Sequence, residues 1–362
     1  PTIEPTHEPT ATEVPTIEPT QEPHETETPS AKPTQEPTEE TTPKPEEGVT
    51  WAGSIEELTE ALKINNTIIK LYKDIDLGTI GLKTSCVTYV DLNGHTLTSN
   101  TSAVIEMVYD LTILDTGATK GALKNTNSST SYGIKCAAKN VTLNVEGAEI
   151  DAASQAIMLN GANSVVNLKG NAVINGGAHA INAGANGTLN IESAVINSDE
   201  SYKGYVFSAS GAVVTIENGT FNYNGTMSSI VVSGKSNITI NGGTFTNPNS
   251  KRGVINNAKG YSGTLTINGG TFENTNAGGY SILDGDEATT ASPPVINITG
   301  GNFKSAIGFT KPNNTTTDIT ITGGTFSFDP AVYIKDTEMY EKVDNGDGTY
   351  TVHGIGVEPE PT

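Results

Sequence analysis

The stretches ITINGGTF (238–245), LTINGGTF (265–272), INITGGNF (296–303) and ITITGGTF (319–326) decide the fold. Each sets apolar residues two apart, then a Gly-Gly turn, then a Phe. A period of two belongs to a strand with one buried face, and glycine supplies the positive φ that a sharp bend needs. Looser copies lie upstream: VDLNGHTL (90–97), LTILDTG (111–117), LNVEGAEI (143–150), VNLKGNAV (166–173), LNIESAVI (189–196) and VTIENGTF (214–221). Taking the second apolar residue as anchor gives Leu92, Ile113, Val145, Leu168, Ile191, Ile216, Ile240, Ile267, Ile298 and Ile321, a unit of about 23 residues with insertions.

A third short strand completes the unit: AIMLNG (156–161), AINAG (180–184), YVFSAS (205–210), SIVVSG (229–234), GVINN (253–257), YSILD (280–284) and AIGFT (306–310). Three strands and their turns close one coil, and the next coil pairs in parallel above it. The expected fold is therefore all-β, a right-handed parallel β-helix of about ten coils, with the hand taken from the rule for parallel crossovers. At about 4.8 Å per coil the rod is roughly 50 Å long. Stacking sets Phe221, Phe245, Phe272, Phe303 and Phe326 one above another as an inward ladder. Ser54-Ile55-Glu56-Glu57, followed by Leu58, Ala61 and Leu62, predicts a capping helix at the N-terminal end. DPAVYIKDTEM (329–339) and YEKVDNGDGTYTV (340–352) predict a turn or short helix, then a capping hairpin.

The repeat occupies residues 48–354, flanked by different material. Residues 1–47 hold 11 Pro, 12 Thr and 12 Glu, with no Gly. Such a segment has no apolar surface to offset its ordering entropy, and it reads as a disordered, Pro-stiffened linker. Residues 355–362 return to Glu-Pro and read as the start of a second linker. The expectation is one module of a larger modular protein.

The whole chain carries a net charge of −21, and the module's 18 basic and 27 acidic side chains include one Arg, Arg252. Few cations remain to neutralise phosphates, so nucleic acid is not an expected partner. No apolar run approaches the roughly 20 residues of a membrane helix, so no membrane insertion is expected. Cys86 and Cys136 are too few for a disulfide framework and read as buried small apolar residues.

TWAGSIEELTEAL, IIKLYKDIDL and VDLNGHTL, the GGTF coils, and the closing GGTFSFDPAVYIKDTEMYEKVDNGDGTYTV together resemble pectin-lyase-like β-helix modules of large surface proteins from gut-type anaerobic Gram-positive bacteria. The resemblance spans 49–353. It implies a secreted or wall-attached, adhesin-like module, with polysaccharide, a cell-surface glycan or a protein as partner.

Pectate lyases and polygalacturonases share that fold, so catalysis has to be sought in residues. Alternation that takes Val206/Ser208 as inward leaves Lys135, Met158, Asn182, Phe207, Val231, Ile255, Leu283 and Gly308 facing out on the third strand. Hydrolysis needs two carboxylates about 5–9.5 Å apart, and this column offers none. Weak catalytic candidates are Arg252 and the loop carboxylates Asp284, Asp286 and Glu287; Asp199 and Glu200 lie in another loop. No cofactor is expected, calcium at the Asp284–Glu287 loop being the alternative without support, and His95 and His179 stand apart from any metal-ligand spacing. Phe207, Val231, Ile255 and Leu283 predict an apolar binding strip, approached by Tyr202, Tyr205, Tyr261 and Tyr280. The reading is a non-catalytic stalk, adhesion or glycan-recognition module, the alternative being a polysaccharide lyase or glycoside hydrolase.

Overall fold

A computed structural model describes residues 46–184, 186–198, 205–225, 228–248, 252–257, 261–284, 294–309 and 317–357. They form a solenoid of parallel strands in three sheets of 12, 13 and 10 strands. The anchor strands fill the first sheet, the Phe-bearing strands the second, and the third short strands the third. In the first sheet, Ile216, Ile240, Ile267, Ile298 and Ile321 are successive register partners. Alternation explains the burial: in Thr264–Ile267, Leu265 and Ile267 are fully buried, and Thr264 and Thr266 are not.

One anchor moves. Val90, not Leu92, pairs with Ile113, which puts that coil 23 residues before the next. Leu92 is equally buried and caps the end of its strand, so apolarity alone does not distinguish the two.

The aromatic ladder is present. From Phe221 to Phe326 the rings stack with centroids 4.3–5.0 Å apart and planes within 15° of parallel. All five are fully buried, each contributing about 1.5–3 kcal/mol of transfer free energy. Their column continues upstream as the aliphatic residues Leu97, Leu123, Ile150, Ile174 and Ile196.

The Gly-Gly corners serve the Phe rings as well as the bend. The second glycine has φ between +100° and +117° at Gly243, Gly270, Gly301 and Gly324. A Cβ at Gly324 would also lie 3.1 Å from the Phe326 ring, and one at Gly301 would lie 3.3 Å from Phe303. Gly-Gly-Thr-Phe is therefore one packing device, in which the ring folds back over its own corner.

The ends close as the sequence predicts. Helix Ile55–Ala61 is capped by Ser54, whose Oγ accepts the Glu57 N–H at 3.1 Å, and it buries Leu58 and Ala61. The Glu57 carboxylate accepts from the Gly53 N–H at 2.8 Å and the Tyr72 hydroxyl at 3.0 Å. At the other end a short 3-10 turn, Ala331–Tyr333, precedes the antiparallel hairpin Tyr340–Asp344/Tyr350–Gly354. That hairpin extends the second sheet by pairing with Gly324–Phe326. Asp347 is held by its own turn: it accepts from the Thr349 N–H and hydroxyl, which pull its carboxyl below the usual range.

Cys136 is in the core, where burial pushes its thiol up to about 11. Cys86 departs from expectation, since it is only half-buried, with Sγ 3.5 Å from the Leu62 carbonyl oxygen. Among the described residues no helix is long and apolar enough to cross a membrane.

Candidate functional site

The outer face of the third sheet is where the sequence places function, and its register differs from simple alternation. After a first, half-buried residue, the strands Tyr132–Cys136, Gln155–Leu159, His179–Ala183 and Tyr205–Ser210 each carry two consecutive inward residues. In Gln155–Leu159, Ala156 and Ile157 are both buried, Met158 is half-buried and Leu159 is buried. The chain is still turning out of the second sheet at that point: a Cβ on Gly133, the equivalent of Ala156, would lie 2.8 Å from Ile150 Cγ2. Pairing resumes in register one residue later.

Two of the four residues of the predicted strip are therefore corrected. Phe207 pairs with Ile181 and is fully buried, its ring edge-on to Phe221 at 6.3 Å. Ile255 pairs with Ile230 and is fully buried behind Val254. Counting alternation from Val206 puts both on the wrong face, because Val206 and Phe207 both point inward. Ser208 and Asn256 take the outward places. Val231 is outward and half-buried, while Leu283 shares the outward column but is only 4% exposed. The outward column thus reads Glu106, Lys135, Met158, Asn182, Ser208, Val231, Asn256, Leu283, which is mixed rather than an apolar strip.

The tyrosines divide as well. Tyr261 is core, 2% exposed, and its hydroxyl donates to the Ser236 carbonyl at 3.1 Å. Tyr280 lies against Gly308, where a Cβ would come within 2.4 Å of its ring. Tyr205 remains on the face: its ring stacks on His179 with centroids 5.2 Å apart and planes 18° from parallel. Tyr202, Asp199, Glu200, Asp286 and Glu287 lie outside the described residues, as does the side chain of Asp284, whose backbone ends the strand Tyr280–Asp284. Arg252 is half-buried, and its carbonyl accepts the Asn274 side-chain amide at 2.8 Å.

What the structure assembles is a polar and aromatic patch around His179. The first residues of successive strands, Tyr132, Gln155, His179 and Tyr205, form a second column beside the outward one. The Asn182 amide donates to Gln155 Oε1 and the Ser208 hydroxyl donates to Asn182 Oδ1, both at 3.3 Å. The Tyr205 N–H donates to the Ala178 carbonyl at 3.0 Å and also lies 3.2 Å from His179 Nδ1, which holds the imidazole against the strand. Burial lowers its pKa, keeping the ring neutral and suited to stacking. The sequence places Tyr205 beside this sheet and Asn182 on its outer side, but Tyr132, Gln155 and the pairing of His179 with Tyr205 escape it, because they occupy the position before the buried pair, where period-two counting has no rule.

The one carboxylate in the outward column is engaged. Glu106 lies between Lys83 at 3.5 Å and Lys135 at 3.7 Å, its register neighbours on either side. No second carboxylate adjoins it in that column. Among the described residues no three His, Cys, Asp or Glu side chains are placed to share a metal ion. A groove of about 560 Å³ also runs beside the glycine corners, between Gly270, Gly301 and Gly324 and the exit residues Val352 and His353. Among the described residues its walls are glycine backbone, Thr, Val, Asn302 and His353, with no carboxylate or lysine.

The outer face of the first sheet carries a ladder of hydrogen-bonded side chains. Asn268 donates to Asn241 at 2.8 Å, Thr299 to Asn268 at 2.7 Å and Asn241 to Glu217 at 2.9 Å, while Asn190, Asn167 and Asn144 form a second run at 2.8 Å. These amides pair with one another and brace the sheet.

Compared with known proteins, the chain matches no family model, no curated protein and no solved structure.

Proposed function

We propose that the chain is a non-catalytic, extracellular β-helical module of a larger modular protein, secreted or wall-attached, that presents the outer face of its third sheet to an extended carbohydrate. The observation that carries this reading is the His179–Tyr205 ring pair beside the hydrogen-bonded row Gln155–Asn182–Ser208. A neutral stacked pair offers apolar faces to the C–H side of a sugar ring, and neighbouring amides suit its hydroxyls. The sole carboxylate of the outward column is held between two lysines, which argues against a paired acid and base there. The Pro-Thr-Glu segments and the resemblance to pectin-lyase-like modules of Gram-positive surface proteins support an adhesin-like setting.

The test is a glycan array with the intact chain, followed by titration of the best ligand against Tyr205→Ala and Asn182→Ala. Either substitution should weaken binding at least tenfold while leaving the melting temperature within a few degrees. A reducing-end and unsaturated-product assay runs alongside. Turnover abolished by Arg252→Ala or Asp284→Ala would replace this reading with a lyase or hydrolase.

A further inference from the structure

We propose that the module is an extensible element, which under axial tension releases whole coils one at a time, beginning at its C-terminal end. This goes beyond carbohydrate recognition and rests on topology and on the side-chain links between coils. The first strand, Val49–Ala52, is the outermost strand of one sheet at the N-terminal end, and the hairpin strand Tyr350–Gly354 extends another sheet beyond the last coil. The chain therefore enters and leaves the solenoid at opposite ends, and Pro-rich segments continue from both.

Strands lie across the rod, so the hydrogen bonds between coils lie along it. A pull from end to end opens them by peeling, a few at a time, instead of shearing a whole ladder at once. In all three sheets each described coil pairs only with the coil before and the coil after. Removing the last one leaves the next intact, as nearest-neighbour stability in a solenoid requires.

The two ends resist unequally. The exit strand is held to the last coil by three residue pairs, Gly324–Val352, Thr325–Thr351 and Phe326–Tyr350. The N-terminal coils are sewn together by side chains that reach backbone amides one coil away: Asp91 to Thr116, Asp115 to Gly94 and Asp110 to Thr142, at 2.7–3.0 Å. Two lysines span further, Lys70 to the Thr116 hydroxyl at 3.1 Å and Lys120 to the Asn171 carbonyl at 3.4 Å, each skipping a coil. The C-terminal coils have such links too, Asn237 accepting the Thr264 N–H at 3.2 Å and Ser305 the Asn274 N–H at 3.2 Å, but these are neutral, and the Gly-Gly corners add none.

Stretching the full chain in optical tweezers, with attachment tags at its two ends, tests the proposal. After the cap, coils should leave in separate steps of 23, then 31, then 27 residues, the spacings of Ile321, Ile298, Ile267 and Ile240. At about 3.5 Å per residue these are steps of about 8, 11 and 9 nm. Inserting ten Gly/Ser residues at the exposed turn Ala277-Gly278 should lengthen the second step by about 3.5 nm and leave the others unchanged. Loss of the whole module in a single event would overturn coil-wise release, and lengthening of a late step would overturn its direction. Neither result depends on whether a glycan binds.

Discussion

The two halves of the solenoid solve the same stacking problem with different chemistry. In the N-terminal half the second-sheet column is Leu and Ile, and several corners turn on Asn at positive φ, including Asn93, Asn140 and Asn171. Carboxylates lock its coils together: Asp115 alone accepts the N–H groups of Gly94, Gly117 and Gly121. In the C-terminal half the column becomes Phe and the corners become Gly-Gly, and among the described residues the carboxylates that link coils, Glu217 and Glu273, meet side chains rather than backbone N–H groups. Larger apolar residues and bare corners arrive together because the ring occupies the space a corner side chain would need. One half gains its order from directed hydrogen bonds, the other from area removed from water.

That contrast can be broken by substitution. Phe272→Ala should cost about 3–5 kcal/mol, whereas Ile174→Val in the aliphatic part of the same column should cost about 0.5–1.5 kcal/mol. Urea unfolding measures both, and equal costs would remove the distinction. Asp115→Ala strands three N–H groups and should cost about 1–3 kcal/mol. Restoration by Asn would argue that charge is unimportant there. Gly270→Ala should cost about 1–2 kcal/mol, since its φ is +100° and the new Cβ would sit 3.0 Å from the Gly243 carbonyl oxygen. Asn171→Gly, at φ +56°, should stay within about 0.5 kcal/mol, because glycine accepts the same turn.

Two smaller effects sharpen the picture. Burial depresses the pKa of His179, so the folded state favours the neutral ring. As pH falls through the ordinary value of 6.5 the unfolded chain takes up the proton first, and stability is lost until the depressed folded value is passed. Melting temperatures at pH 7.5 and 5 should therefore diverge less in His179→Gln than in the parent. Removing residues 1–45 should leave the melting temperature unchanged, because a Pro-Thr-Glu segment has no apolar face to dock. A drop on removal would give that segment a structural role.

Much of the architecture is legible in the sequence because coil stacking repeats one local rule: apolar residues at alternate positions, a bend, and an aromatic after it. Ile240, Ile267 and Phe272 declare their places without any knowledge of neighbours. The candidate site is less legible, for three physical reasons. Strands of the third sheet carry two consecutive inward residues after their first, so Val206 and Phe207 break the period and shift every place counted from them. Tyr261 reads as a surface aromatic, yet its hydroxyl finds a carbonyl inside the corner. The Glu106–Lys83–Lys135 set and the His179–Tyr205 stack join residues a coil apart, and only register brings them together.

The even spacing of the Phe rings, 4.9, 4.9 and 5.0 Å from Phe245 to Phe326, makes these coils interchangeable parts. Any of them offers the next the same ring, the same corner and the same strand register. The gain or loss of one whole unit, whatever the length of its loops, would rejoin the solenoid without disturbing either end. The length of the rod is thus heritable in discrete increments, adjustable without inventing a new fold.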